Sequence, residues 1–194
     1  MPVEPVRVWN PPNPYLTEHR QLIGEPPAAG TVEVYEDQSQ EILSHNDSPD
    51  LGFRWSINPY RGCRHSCLYC FSRPTHEYFG LGAGTDFERK IFVKKNAAAL
   101  LERAFRRPSW QGERIVFSGV TDCYQPLEAA WKLTRGCLET CLKFRNPASI
   151  ITKSALVRRD VDLLQGLTRE ASIHVHISIP FWDEEIARKV EPGA

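Results

Sequence analysis

Cys63, Cys67 and Cys70 fall within eight residues, Cys63-Arg64-His65-Ser66-Cys67-Leu68-Tyr69-Cys70, a C-x3-C-x2-C loop. Thiols packed this closely are expected to bind a metal, and Arg61, Arg64 and Arg73 nearby are expected to help keep them ionised. A structural zinc site takes four ligands, often as two C-x2-C pairs, so His65 or His76 would have to complete a Cys3His set. In that case the chain is a zinc-stabilised module that binds nucleic acid without catalysis. Ferredoxin-type clusters take four cysteines, and the next one here, Cys123, lies far downstream. Three thiolates on a four-iron cluster would leave one iron without a protein ligand, and an open coordination position is what separates a reactive metal centre from a structural one.

Other residues with chemical potential lie further along. The segment Gly119-Val120-Thr121-Asp122-Cys123-Tyr124-Gln125-Pro126-Leu127-Glu128 combines a glycine that lets the backbone approach a ligand with two short polar side chains. Thr121 or Asp122 could serve an ammonium or hydroxyl group, or simply cap the helix that follows. Lys153, in Thr152-Lys153-Ser154, can pair with a carboxylate. His174, His176 and Ser178 alternate along one face of a strand, directed either into a lumen or against helices. No acidic or cysteine partner stands near the histidine pair, which favours satisfied core or lumen histidines over metal ligands. Cys137 and Cys141, four apart in a helical stretch, read as buried core.

The elements that must position these residues alternate. Phe53–Asn58 reads as a strand running straight into the cysteine loop. Asn96–Phe105 is a helix stopped by Pro108, and Arg114–Ser118 a strand around Ile115-Val116-Phe117. Leu127–Phe144 is a helix burying Ala130, Trp131, Thr134, Leu138, Cys141 and Leu142. Ser149–Thr152 is a strand, Asp160–Leu167 a helix, Ser172–Ile179 a strand, and a further helix starts near Asp183. Such alternation implies βαβ units and a parallel sheet, with ligands at the carboxyl ends of the strands. The chain stops at Glu191-Pro192-Gly193-Ala194, an abrupt end for a closed barrel, so a C-terminally truncated domain is expected.

Residues 1–50 read as a Pro-rich acidic extension with one short strand at Thr31–Tyr35, free or wrapped over the body through Trp9, Tyr15 and Leu22. Residues 51–194 read as the domain proper. The formal net charge of zero hides an asymmetry. Residues 1–50 carry two basic and nine acidic side chains, the remainder 22 basic and 15 acidic. A basic body suits a polyanion such as nucleic acid, or an acidic tail folded over it. No run approaches the roughly 20 apolar residues of a membrane span, and no secretory signal is visible. Six cysteines without a signal imply a reducing compartment, so a cytoplasmic location is expected.

The loop Cys63-x3-Cys67-x-Tyr69-Cys70, with an aromatic before its last cysteine, resembles the signature of the radical SAM superfamily. The series Thr121-Asp122 with Glu128, then Thr152-Lys153, Ser178 and Glu191-Pro192-Gly193 is similar to the spore photoproduct lyase branch and its substrate-unassigned relatives, over about residues 55–194. The stretch Arg73-Pro74-Thr75-His76-Glu77-Tyr78 is similar to the unassigned relatives alone. The resemblance implies a partial (β/α)6 TIM-like barrel with a [4Fe–4S] cluster on Cys63, Cys67 and Cys70. Its open iron would be chelated by S-adenosylmethionine, with Tyr69, Gly119, Thr121, Asp122, Lys153 and Ser178 lining the nucleotide and methionine site. It further implies an electron donor of flavodoxin or ferredoxin type, cleavage to a 5′-deoxyadenosyl radical, and a substrate related to nucleic acid. One departure stands out. Where the lyase has a hydrogen-returning cysteine, two residues before Thr121, this chain has Gly119, and Cys123 is no positional replacement. The resemblance therefore extends to radical generation and not to the repair step.

Overall fold

The computed structural model describes residues 13–15 and 32–194. In chain order it contains β1 (Glu33–Glu36), β2 (Leu43–His45), β3 (Trp55–Ile57), β4 (Tyr60–Arg61), α1 (Thr85–Arg89), β5 (Lys90–Val93) and α2 (Ala97–Phe105). There follow β6 (Ile115–Phe117), α3 (Glu128–Trp131), α4 (Leu133–Lys143), β7 (Ala148–Thr152), α5 (Val161–Glu170), β8 (Ile173–Ile177) and α6 (Glu184–Val190). Two 3-10 turns, Arg73–Phe79 and Ala155–Asp160, complete the set.

The larger sheet runs β2-β3-β6-β7-β8, with β3, β6, β7 and β8 parallel and β2 an antiparallel edge. This is the parallel α/β arrangement expected from the alternating pattern. Its two faces differ because side chains alternate along a strand. Ile57, Phe117 and Ile150, aligned by register, face Leu101, Leu138 and Leu167 of the helices, and all six are fully buried. The opposite face carries a mostly polar row, Ser44-Ser56-Val116-Ser149-His174, one residue per strand. His174 and His176 therefore lie on the side away from the helices. Both are exposed, with ring centroids 6.4 Å apart. Cys137 and Cys141 are fully buried in the helix-side core, as expected of small apolar side chains.

A second sheet, β1-β5-β4, was not foreseen beyond a strand near β1. Its strands have two to four residues, too few to carry a periodic signal. It joins residues 33–45 to the body: β1 pairs with β5 while β2 pairs with β3. The acidic residues of this strap settle on cations, Glu36 on Lys95 (2.8 Å), Asp37 on Arg61 (2.5 Å) and Glu41 on Arg107 (2.6 Å). The line drawn at residue 50 thus does not separate an extension from a body within the described residues. Tyr15 stacks near Tyr78, with centroids 5.1 Å apart, whereas Trp9, Leu22 and Thr31 lie outside the described residues.

The helix expected over Leu127–Phe144 is broken. Lys132 adopts a left-handed backbone (φ 52°) and separates α3 from α4. The cause is Glu128, whose buried carboxylate accepts the backbone N–H groups of Thr134 (3.0 Å) and Arg135 (3.3 Å), capping α4 from the preceding helix. Trp131 and Ala130 turn outward as a result, and the buried face of α4 is Thr134, Cys137, Leu138 and Cys141.

Candidate active site

The parallel strands end on one rim. β3 feeds the cysteine loop, β6 feeds Gly119–Asp122, β7 ends at Thr152 beside Lys153, and β8 ends just before Ser178. The cysteine loop is held by its backbone. Gly62 (φ 77°) makes the entry turn, and a Cβ there would meet the Phe87 carbonyl at 2.7 Å. Cys63 N–H donates to that carbonyl at 3.0 Å. Gln125, fully buried, clamps the loop from the β6 side: its amide oxygen accepts Arg64 N–H (3.0 Å) and its amide nitrogen donates to Gly62 O (3.0 Å). Arg73 forks onto the Cys67 carbonyl, at 3.2 and 3.1 Å, and reaches Glu88 at 3.1 Å. From the C-terminal side, Leu68 N–H donates to Val190 O and Gly193 N–H to His65 O. Gly193 is required there, since a Cβ would sit 2.0 Å from Arg64 O.

Cys63 and Cys67 are buried, Cys70 is half-buried, and all three are free of disulfides. Burial pushes Cys63 up to about 12 and Cys67 up to about 11, so without metal both keep their protons. The expectation that arginines would keep them ionised fails for a local reason. Arg61 pairs with Asp37, Arg64 donates to Glu88 O, and Arg73 is spent on Cys67 O and Glu88. Ionisation would come with a bound metal, which displaces the protons.

Among the described residues, no group of three or more Cys, His, Asp or Glu side chains is placed to hold a metal ion. His76, one possible fourth zinc ligand, bonds through Nε2 to Lys90 O at 2.9 Å and lies among the rings of Phe79, Phe87 and Phe92. His65 is buried with Nδ1 3.4 Å from Asp122 Oδ2. A donor set of three soft, disulfide-free thiols on one braced loop fits the cluster.

Beside the loop stands a compact polar group. Lys153 Nζ lies 2.7 Å from Glu191, donates to Ser178 Oγ at 3.1 Å, and sits 5.5 Å from the centre of the Tyr69 ring. Tyr69 in turn donates its hydroxyl proton to Glu191. Burial would lower the Lys153 pKa, but the Glu191 carboxylate and Tyr69 outweigh it and hold the ammonium above the ordinary lysine range. Tyr69, Lys153 and Ser178, chosen from sequence, are thus brought together with Glu191.

Thr121 and Asp122 are differently placed. Thr121 is buried and its hydroxyl donates to Tyr60 O at 3.0 Å. Asp122 accepts Thr152 Oγ1 (2.7 Å) and the N–H groups of Tyr124 and Lys153 (2.8 Å each). Burial would raise its pKa, yet these bonds and the adjacent His65 hold it below the ordinary range. Neither residue caps α3. Their groups brace the rim, tying the end of β6 to β4 and β7. Gly119 is open to solvent on the sheet face away from the helices, and a Cβ there would lie 3.6 Å from Ser56, an ordinary contact. Cys123 is fully buried on the helix side.

Three residues that organise this rim carried no structural role in the sequence reading, although Glu128 stood in the family series. Gln125 stood in the quoted β6 segment without a role. Asn58, whose side-chain oxygen accepts N–H groups from Gly119, Val120 and Thr121 at 3.3 Å each, closes the predicted first strand. Glu128 is fully buried and holds Tyr60 O–H and Arg159 as well as α4. Its invisibility as a buried group was the difficulty, since a glutamate one turn into a helix reads as a solvated N-terminal charge.

No helix among the described residues is long and apolar enough to cross a membrane. An uncharacterized protein of Mycobacterium tuberculosis is 42% identical over 143 residues, covering 74% of this chain and 42% of its own length. One from Methanocaldococcus jannaschii is 30% identical over 161 residues, covering 83% of this chain and 57% of its own length. The chain therefore spans about half the length of these relatives. A solved structure of a spore photoproduct lyase variant superposes with a TM-score of 0.52 at 17% identity, over 91% of this chain and 49% of that one, a likeness of fold. The radical SAM superfamily model matches residues 57–194, starting at the last residue of the strand that feeds the cysteine loop; this chain belongs to that superfamily.

Proposed function

We propose that this chain is a radical SAM enzyme that holds a [4Fe–4S] cluster on Cys63, Cys67 and Cys70 and cleaves S-adenosylmethionine reductively. The observation that carries the reading is the loop itself: its backbone is fastened on three sides while its three cysteines stay free of disulfides. Held by Cys63, Cys67 and Cys70, the cluster would supply the one electron that reductive cleavage of the sulfonium to methionine and a hydrogen-abstracting deoxyadenosyl group needs. The chain's own residues bind and orient. Lys153 takes the ligand's carboxylate, with Ser178 beside it and Tyr69 as a side wall. Gly119 leaves room for the nucleotide. Thr121 and Asp122 contribute by position, fixing the strand ends against β4 and β7. Burial of Cys63 and Cys67 keeps water from the sulfur ligands.

An external donor of flavodoxin or ferredoxin type delivers the electron. The surplus of basic residues beyond residue 50 supports a nucleic-acid substrate. The test is anaerobic reconstitution with iron and sulfide, followed by reductant and S-adenosylmethionine. The native chain should release 5′-deoxyadenosine and Cys67→Ala should release none. Undiminished release from Cys67→Ala would overturn the assignment.

A further inference from the structure

A cavity of about 260 Å³ lies beside the cysteine loop, between the strand that enters it and the 3-10 turn that leaves it. Arg61, Lys94, Asn58, Ser44, Tyr78 and Phe79 are on its walls. Ser44 is in register with Ser56, and Asn58 holds the Gly119–Thr121 backbone, so the cavity opens on the sheet face away from the helices, at the rim. Its size is just below the roughly 300–1,000 Å³ of typical small-molecule sites, enough for one ring system and a charged substituent.

The electrostatics of the cavity are unbalanced. Arg61 Nε and Lys94 Nζ share a single carboxylate oxygen, Asp37 Oδ2, at 2.5 and 3.5 Å. Two cations thus face one anion. Lys94 is almost fully buried, and burial together with the Arg61 charge holds it below the usual lysine range. Glu41, the carboxylate on the wall, is tied to Arg107 at 2.6 Å. A second anion would complete the pairing. The aromatic side is equally particular. The Tyr78 ring remains 70% exposed despite its contact with Tyr15, and Phe79 carries the Arg61 guanidinium 4.8 Å over its face. Flat rings stack on such surfaces, and Asn58 and Ser44 offer hydrogen bonds to a polar ring edge.

We propose that this cavity binds a planar ring bearing an anionic group, with the ring against Tyr78 and Phe79 and the anion at Arg61 and Lys94. Its position on the rim makes it the place for the hydrogen donor, a role that rests on the radical reading above, whereas the binding itself does not.

Isothermal titration of the full-length, cluster-free chain with uridine 5′-monophosphate tests the assignment, with uridine, inorganic phosphate and benzoate as comparisons. The monophosphate should saturate the chain at least tenfold more tightly than uridine or phosphate alone. Tyr78→Ala, at an exposed position that leaves the fold alone, should weaken it about tenfold, and Lys94→Met by at least as much. Benzoate binding as tightly as the nucleotide, with the same Tyr78 dependence, would identify an aromatic carboxylate as the natural class. Absence of saturable binding of both probes at millimolar concentration, or binding indifferent to Tyr78→Ala, would overturn the proposal. The two readings fail separately: release of 5′-deoxyadenosine without ring–anion binding removes only this cavity's role, and binding without release removes only the radical chemistry.

Discussion

Replacing Glu128 by alanine should cost more stability than any other single carboxylate change in the described chain. The side chain is fully buried. It accepts the Tyr60 hydroxyl proton, the N–H groups of Thr134 and Arg135, and a 2.7 Å ion pair from Arg159. Truncation removes an acceptor from all four donors at once. Breaking a buried ion pair by removing one partner costs about 3–5 kcal/mol, and loss of a helix cap alone is worth about 1 kcal/mol. These overlap, because Arg159 keeps its 2.7 Å contact with Asp160 and so does not lose every partner. A net loss of about 3–5 kcal/mol corresponds to a fall in Tm of roughly 6–20 °C for a chain of this size. Glu128→Gln keeps an acceptor for the α4 N–H groups while deleting the charge, so about half of the loss should remain. The assay is urea unfolding followed by far-UV circular dichroism. A loss below about 1 kcal/mol for Glu128→Ala would show that the carboxylate does not couple α3, α4 and the Tyr60 strand as the distances require. A double-mutant cycle with Arg159→Ala isolates the pair and should give a clear positive coupling.

Two further expectations concern protons. In the metal-free chain at pH 8, iodoacetamide should label half-buried Cys70 first and Cys63 and Cys67 far more slowly, because burial has raised their pKa to about 12 and 11 and leaves little thiolate; equal labelling rates by peptide mass spectrometry would contradict the burial. Asp37 has its pKa lowered to about 2, since bonds from Ser39 and Arg61 and the charge of Lys94 outweigh the upward pull of burial. Its contribution is therefore complete above the unfolded value of about 4 and disappears as the pH drops through about 2. The Asp37→Asn chain should show a flatter loss of urea midpoint across that interval than the native chain, and parallel curves would argue against the strap's ion pairs.

The parallel strands were legible because each carries a short β-branched or aromatic run, as in Ile115-Val116-Phe117, and each borders a helical stretch long enough to show its period. The cysteine loop was legible from spacing, and Lys153 and Ser178 from their places at strand ends. What sequence could not convey was pairing across distance. Whether Asp122 faces a ligand or the Thr152 hydroxyl depends on a contact spanning 30 residues. The break at Lys132 follows from Glu128 reaching forward to the next helix, a long side chain overriding a continuous helical pattern. Of the strap at residues 33–45, only its charge and the strand near β1 were visible, because three- and four-residue strands leave no periodic trace.

The way the loop is fastened also bears on what the metal does for the fold. In small zinc modules the ligands are brought together only by the ion, so binding free energy is folding free energy and chelation unfolds the chain. Here the fastening is made by protein groups: Phe87 O, the Gln125 amide, Arg73 on Cys67 O, and the Val190 and His65 carbonyls. The main core of Ile57, Phe117, Leu138 and Leu167 lies on the helix side and includes none of Cys63, Cys67 and Cys70. Folding should therefore precede cluster insertion. Chelation of iron from the reconstituted chain should abolish visible absorbance while leaving a cooperative thermal transition and the far-UV spectrum nearly intact. Collapse of that transition on chelation would mean that the hydrogen bonds around Cys63–Cys70 do not hold the loop by themselves, and the site would have to be regarded as metal-built.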